Sequence, residues 1–589
     1  MRFSRKKVGR IESLPIRCKL AVVSGIGSLV FRKRHRMKHF LVLGTLLLLI
    51  CQIAPPSFAA ERSFEEGATE RLRAVTAGDT SGVAVLVARE GKIVFQGGFG
   101  FADIEKKTPI TPETKFRIGS ISKQFTAAAV VRLAEQGKLS LEDSLAKYFP
   151  DFPHAADVTL RQLLTHTSGL HSYTDKPEFI GRVKEPIEPA KLIAWFQNDP
   201  PDFAPGKGFH YNNSAYFLLG EIVAKVSGKS LGDHLKATFF EPLEMKDTGT
   251  YVNTTPPAGM ASGYSFANEK LDPAFDWDMS WAGGAGALYS TVGDLFRWNE
   301  ALFGGRVLSE ASLEAATTPV ELPAEVDGMK YGYGLMMLEV RRLPGVGHGG
   351  GLNGWSTYLL RLPEQHCTVV VLTNALPQPP KLSPGAIANA LAEQLLSDEI
   401  KKLPALTEDK SIDPKSFTDF VGRFDYKDAI MTVTVEEDAL FAQITGQPKN
   451  RIFPKAKDAF FWKVADAEVV FVRNDKGQVT AARHSQNGSS FKASKLADDA
   501  VKLTAEQAET YVGQYRYGLF SVLTISRDGS QLFAQLTGQP KFPVFPTSET
   551  EFEWRVVAAK VQFVKGDDGK MTKAVHHQNG TTFDAAKIK

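Results

Sequence analysis

The chain has 589 residues, 43% of them hydrophobic and 23% charged. That length exceeds what one hydrophobic core serves, so about three or four units are expected, and the ordinary composition excludes wholesale disorder and a multi-span membrane protein. The formal net charge of +4 misleads: residues 1–59 hold twelve Lys and Arg against one Glu, and the remainder carries 58 basic against 65 acidic residues, a net of −7, with no basic stripe to attract nucleic acid.

At the N-terminus, Arg32, Lys33, Arg34, Arg36 and Lys38 precede an apolar run from Phe40 to Ile50, the layout of a signal peptide. Gly44, Thr45 and the pair Pro55-Pro56 leave the run too short to span a bilayer, which takes about 20 apolar residues. Ser57-Phe58-Ala59 supplies small residues for cleavage after Ala59. The chain is therefore expected to be exported, periplasmic or extracellular, meeting the membrane only in transit. Ile50 before Cys51 fits a lipid anchor poorly, and the 36 residues before Met37 read as a preface to the true start. Cleavage would leave Cys367 as the only thiol, so no internal disulfide, no cysteine metal site and no cofactor are expected.

Beyond Gly82, VAVLVAR, the turn Glu90-Gly91 and KIVFQGG read as a β-hairpin. Ile121 to Gln136 has helical periodicity ending at a C-cap glycine, Gly137. A second helix is predicted from Ser214 to Val226, closed by Ser227-Gly228. Strands return at Trp355–Leu362 and Cys367–Leu372, and Ala386–Leu396 is a closing helix. Strands, a helical middle, then strands again predict an α+β (α/β sandwich) domain over 60–404 whose sheet is completed by both of its ends.

After Pro404 the composition turns β-rich and the chain repeats itself. LFAQITGQPK from Leu440 matches LFAQLTGQPK from Leu532, Trp462 matches Trp554, Phe471 matches Phe563, and His484 with Gln486-Asn487-Gly488 matches His576 with Gln578-Asn579-Gly580, all at an offset of 92. Two small all-β barrel-like units, 413–497 and 503–589, are expected from one duplication. His484 and His576 lack the acidic or thiol neighbours of a strong metal site and read as shared scaffold.

Ser120-Ile121-Ser122-Lys123 sets a hydroxyl and an amine one helical turn apart. A lysine half-buried among apolar neighbours can lose its charge and act as the base or relay that activates serine. Ser-x-x-Lys alone is a weak signal. No His-Glu-x-x-His or paired Cys-x-x-Cys competes with it, and Gly228-Lys229-Ser230 lacks the earlier glycine of a phosphate loop.

The flanks decide the reading. Lys115-Phe116-Arg117-Ile118-Gly119 before the motif and Gln124-Phe125-Thr126-Ala127 after it resemble the acylation segment of class C β-lactamase-like, penicillin-recognising serine hydrolases, and the resemblance covers roughly residues 65 to 400. Tyr211-Asn212-Asn213 resembles that family's Tyr-x-Asn motif, which implies Tyr211 as proton relay or base and Asn213 as an orienting amide. Lys123 is expected to push the Tyr211 phenol toward phenolate. Where the penicillin-binding enzymes carry Lys-Thr-Gly, this chain has His348-Gly349-Gly350, similar to the D-aminopeptidase and esterase branches. His348 is expected to stay neutral and to hydrogen-bond Tyr211. The resemblance also makes the backbone amides of Ser120 and Gly351 the oxyanion hole. His166 and His171, in family-like segments, are expected to be hydrogen-bonded scaffold or surface residues.

The reading is an exported serine hydrolase that cleaves an amide or ester through a Ser120 acyl-enzyme, with Ser120, Lys123, Tyr211 and His348 catalytic. The substrate expected is a small molecule or peptide, with the cell envelope as one source. Alternatives are a β-lactamase, or a penicillin-recognising or envelope-binding sensor with little turnover.

Overall fold

The computed structural model describes residues 63–588 apart from 79, 268, 324–328, 404, 427–428, 446, 487–488, 497–502, 518–520, 538–540, 555–558, 567 and 579–580; the leader, Met37, Cys51 and the cleavage site lie outside the described residues. Helix α1 (Phe64–Val75) opens on a capping box in which Ser63 and Glu66 satisfy each other's backbone amides. Strands β1 (Val83–Arg89) and β2 (Lys92–Phe99) form the predicted hairpin. Its turn places Glu90 and Gly91 at φ 51° and 69°, as a two-residue turn matched to strand twist requires.

Helix α2 (Ser122–Glu135) follows a 3-10 turn at Gly119–Ile121. Helix α3 (Asn213–Ser227) ends where Gly228 takes φ 68°, a left-handed stop that only glycine adopts without strain. Helix α4 (Val292–Phe303) comes next, then strands β3 (Met336–Val340), β4 (Leu343–Leu352), β5 (Trp355–Leu362) and β6 (Cys367–Thr373), and helix α5 (Pro384–Leu395). The antiparallel sheet runs β3-β4-β5-β6-β1-β2. Both ends of the domain thus complete it, with Val83 opposite Thr373.

Strand β1 is an interior strand covered on both faces. Val83, Val85 and Val87 pack under α1 and α5 with Leu72, Ile387 and Leu391. Ala84, Leu86 and Ala88 face the large core of α2 and α4, where Phe125 stacks on Trp298 at 4.0 Å between ring centres. This double burial explains the nearly continuous apolar run. Truncating Phe125 to alanine is expected to cost about 3–5 kcal/mol.

The duplicated units are up-and-down barrels. The first holds β7 (Gly422–Asp425), β8 (Ile430–Glu436), β9 (Ala439–Ile444), β10 (Asn450–Ala456), β11 (Ala459–Trp462), β12 (Ala467–Arg473), β13 (Val479–Gln486) and β14 (Ser489–Ser494). It is closed by a bridge from Phe424 to Lys495. The second holds β15 (Gly513–Tyr517), β16 (Ser521–Asp528), β17 (Gln531–Leu536), β18 (Phe542–Pro546), β19 (Glu551–Trp554), β20 (Ala559–Lys565), β21 (Met571–Gln578) and β22 (Thr581–Lys587), and closes by pairing β15 with β22.

Candidate active site

The 3-10 turn leading into α2 carries Ser120, partly exposed, while Lys123 three residues on is 0% exposed. The Lys123 Nζ lies 3.1 Å from Ser120 Oγ, 2.8 Å from Asn213 Oδ1 and 2.9 Å from the Ala285 carbonyl. Complete burial holds its proton affinity well below that of an ordinary lysine. A neutral amine has two N–H groups and one lone pair. Donation to Asn213 and Ala285 uses both N–H groups and leaves the lone pair to accept the Ser120 hydroxyl proton. Asn213 is itself held, its Nδ2 donating to Thr174 Oγ1 at 3.0 Å and its backbone amide to Ser172 Oγ at 3.2 Å.

Two segments bring this geometry about. Gly119 sits at φ 52°, and a Cβ there would stand 2.8 Å from the Gly351 amide nitrogen, so the turn before Ser120 lies directly against β4. On β4, Gly350 also lies against this turn: a Cβ would meet the Ile118 carbonyl at 2.0 Å, whereas Gly349 would make only ordinary contacts. Strand β3 pairs with β4 only as far as Gly347. The β4 edge from His348 to Gly351 is therefore free of a strand neighbour and faces the Ser120 turn, which is where an oxyanion hole from the Ser120 and Gly351 amides would stand.

Two sequence expectations are corrected. His348 does not bond Tyr211. Its Nδ1–H donates to the Gly349 carbonyl at 2.5 Å, and its Nε2 accepts from the Tyr331 hydroxyl at 2.9 Å, so no ring nitrogen remains for Tyr211, whose ring centre is 6.0 Å away. Nor does Lys123 push Tyr211 toward phenolate. Burial raises the phenol above its ordinary value, an effect that the nearby Ser120 side chain only partly opposes. The buried Tyr211 hydroxyl has no hydrogen-bond partner among the described residues, leaving it to meet a substrate atom. The neutral state expected of His348 holds: burial, then the nearby Lys123, pushes it down to about 3.

Sequence reasoning missed Tyr331, in a Lys-Tyr-Gly-Tyr run with no motif of its own, and the Ala285 carbonyl, which no side-chain pattern marks. His166 is scaffold as expected. It is 1% exposed, takes φ 59°, and its Nδ1 accepts from the Asn212 amide at 3.0 Å while its ring lies 4.4 Å from Tyr211 and 4.5 Å from Tyr331. His171 shares Asp202 with His210 near the surface.

A serine, a fully buried lysine amine and a strand edge with no partner strand among the described residues, on a sheet completed from both ends, define a serine acyl-transfer enzyme fold. Comparison with known proteins gives the family: residues 65–394 match the model described as Beta-lactamase, and the chain belongs to this family of serine hydrolases. Residues 406–495 and 497–588 each match a Domain of unknown function (DUF3471), which agrees with the duplication. A penicillin-binding protein of Bacillus subtilis (strain 168) is 30% identical over 66% of this chain and 89% of its own length. The D-amino acid amidase of Ochrobactrum anthropi SV3, complexed with L-phenylalanine, is 26% identical, with TM-score 0.51 over 58% of this chain and 99% of its own. An octameric penicillin-binding protein homologue from Pyrococcus abyssi, 24% identical with TM-score 0.50, covers 82% of this chain and 98% of its own and shares the fold.

Proposed function

We propose that the chain is an exported serine amidohydrolase or esterase acting on small amides or esters, including those of amino acids with a free amine. The observation that carries this reading is the Lys123 amine, fully buried, doubly tied as a donor and 3.1 Å from Ser120 Oγ. Ser120 attacks the carbonyl carbon as its proton passes to Lys123. The tetrahedral oxyanion is held by the Ser120 and Gly351 amides. Collapse expels the amine or alcohol, protonated by Lys123 or through the Tyr211 hydroxyl, and water then attacks the acyl-enzyme by the same route.

The substrate class rests on charge. A β-lactam or a peptide C-terminus presents a carboxylate, for which a fixed cation is the natural partner. Here the third motif supplies a neutral, 2% exposed imidazole, and buried Arg117 is committed to Asp276 at 2.6 Å and to the ring faces of Tyr251 and Trp355. The similarity to a D-amino acid amidase points the same way. Catalytic efficiencies on p-nitrophenyl acetate, D-phenylalanine amide and a cephalosporin test the proposal. The ester or aminoacyl amide should exceed the cephalosporin by at least about tenfold, equivalent to 1.4 kcal/mol of transition-state discrimination. A cephalosporin turned over faster than both would make the chain a β-lactamase, and one acylation burst without turnover would make it a sensor.

A further inference from the structure

Two connections at one end of the duplicated barrels are retained whole. Successive strands are antiparallel neighbours, so the β7–β8, β9–β10, β11–β12 and β13–β14 connections share one end of the first barrel and the other connections share the opposite end. At the first end, Thr445-Gly446-Gln447-Pro448-Lys449 recurs unchanged as 537–541, and Gln486-Asn487-Gly488 as 578–580. At the far end, Glu437-Asp438 has become Gly529-Ser530, and Lys457-Asp458 has become Glu549-Thr550. Some of the retained residues serve the scaffold. Thr445 and Thr537 each accept from the backbone of the preceding hairpin, at 3.0 and 2.9 Å, and Lys449 and Lys541 lie over Phe441 and Phe533. Gln447 and Gln486 are exposed, and the barrel's packing gives no reason to keep them.

The same end keeps an aromatic lining. His484 stands directly opposite Phe491 in the ladder, so both side chains project to one face, the face of Ala482 and Ala493 in the barrel core. Phe491 therefore points inward, yet it is 41% exposed because it stands at the mouth. Around it, Trp462 packs 5.3 Å and Phe491 5.5 Å from the His484 ring, and Tyr426 Oη lies 3.0 Å from His484 Nδ1. Burial keeps the imidazole neutral. With the Tyr426 hydroxyl donating to Nδ1, Nε2–H reaches Gln486 Oε1 at 3.4 Å, and the Gln486 NH2 group is left for solvent or ligand. The second barrel repeats the set. His576 is opposite Phe583, Trp554 stacks 4.9 Å from His576, and Phe583 is 45% exposed, with Ala574 and Ala585 in the core.

We propose that the two barrel mouths are tandem binding sites for an uncharged polysaccharide, each taking a sugar ring against its Trp-His-Phe lining, with Gln486 reading hydroxyl groups in the first. Barrel mouths are recurrent ligand sites, and an exposed aromatic beside neutral hydrogen-bonding groups suits a molecule with an apolar ring face and a polar rim. Charge argues against a polyanion. Lys449 is the only ionic residue among those retained at this end, and it pairs with Glu436. Two copies in one chain suit a repeating polymer, since the second contact becomes intramolecular.

Retention of the full chain on microcrystalline chitin and cellulose, with heparin-agarose as the charged control, tests this. The wild type should be held by at least one neutral polymer in 0.5 M salt (about a 4 Å Debye length). Phe491→Ala with Phe583→Ala should lower apparent affinity about a hundredfold or more, and each single change should remove most of the avidity. Circular dichroism and p-nitrophenyl ester turnover should stay unchanged in all three variants. Equal retention of the double variant, retention by neither neutral polymer, or capture only by heparin would each overturn the proposal.

Discussion

Two places in this chain set a histidine among aromatic rings. His348 lies on the β4 edge beside Tyr331 and Tyr211, and His484 lies in a barrel mouth beside Trp462 and Tyr426. Both are neutral because they are buried, and both bond a tyrosine hydroxyl. The difference is in the neighbours. His348 shares its site with a buried amine and a serine at the head of a helix, whereas His484 opens onto a half-exposed phenylalanine. The same residue types therefore serve bond-breaking at one place and recognition at the other, according to whether a poised base stands beside them.

Removing the base should break the comparison most completely. Lys123→Met should lower kcat/KM for a p-nitrophenyl ester by about 10⁴-fold, and Ser120→Ala by at least as much, with covalent labelling by a fluorophosphonate lost in the latter. In the wild type, kcat/KM should rise with pH as Lys123 loses its proton. That limb should fall well below the ordinary lysine range, because burial lowers the Lys123 proton affinity. A limb near the unperturbed value of 10.5 would show that the amine is charged in the working enzyme.

Tyr331→Phe should have a smaller effect, about tenfold on kcat. The hydroxyl it removes contributes on the order of 1 kcal/mol, and His348 Nε2 would be left buried without its donor. A change confined to KM would place Tyr331 in substrate binding instead. The mildest effect is on acid stability. His166 and His348 both have proton affinities lowered by burial from 6.5, so below about pH 6.5 the unfolded chain binds protons that the folded chain does not. Each then contributes stability that is complete above pH 6.5 and is lost as pH falls, by up to about 1.4 kcal/mol per unit. Denaturant midpoints between pH 7 and 4 should fall less steeply in His348→Gln. His484→Gln should leave ester kcat/KM unchanged.

What was legible in the sequence follows from how each feature is encoded. Ser120 and Lys123 are tied by one helical turn, so their spacing is visible, and Asn213 is visible because it opens a helix after a marked loop. Gly137 and Gly228 announce helix ends since the left-handed conformation favours glycine. The partner of His348 was not legible: Tyr211 and Tyr331 are both tyrosines within reach of the β4 edge, and only the fold selects between them. Ala285 contributes a carbonyl, which its side chain does not advertise. The duplication was plain in the repeated LFAQ and QNG runs, but closure of the barrels depends on pairing first and last strands, which strand pattern alone does not reveal.

The pairing of β1 with β6 has a consequence for when the enzyme can exist. Val83 and Thr373 are neighbours in space but are made far apart in time during synthesis. Strand β1 waits, apolar on both faces, until nearly the whole domain has emerged, and the Ser120 turn has no β4 edge to rest against until Gly351 arrives. Such long-range closure slows folding. Until then the nucleophile is an inert side chain, and reactivity begins only after the last strand is in place.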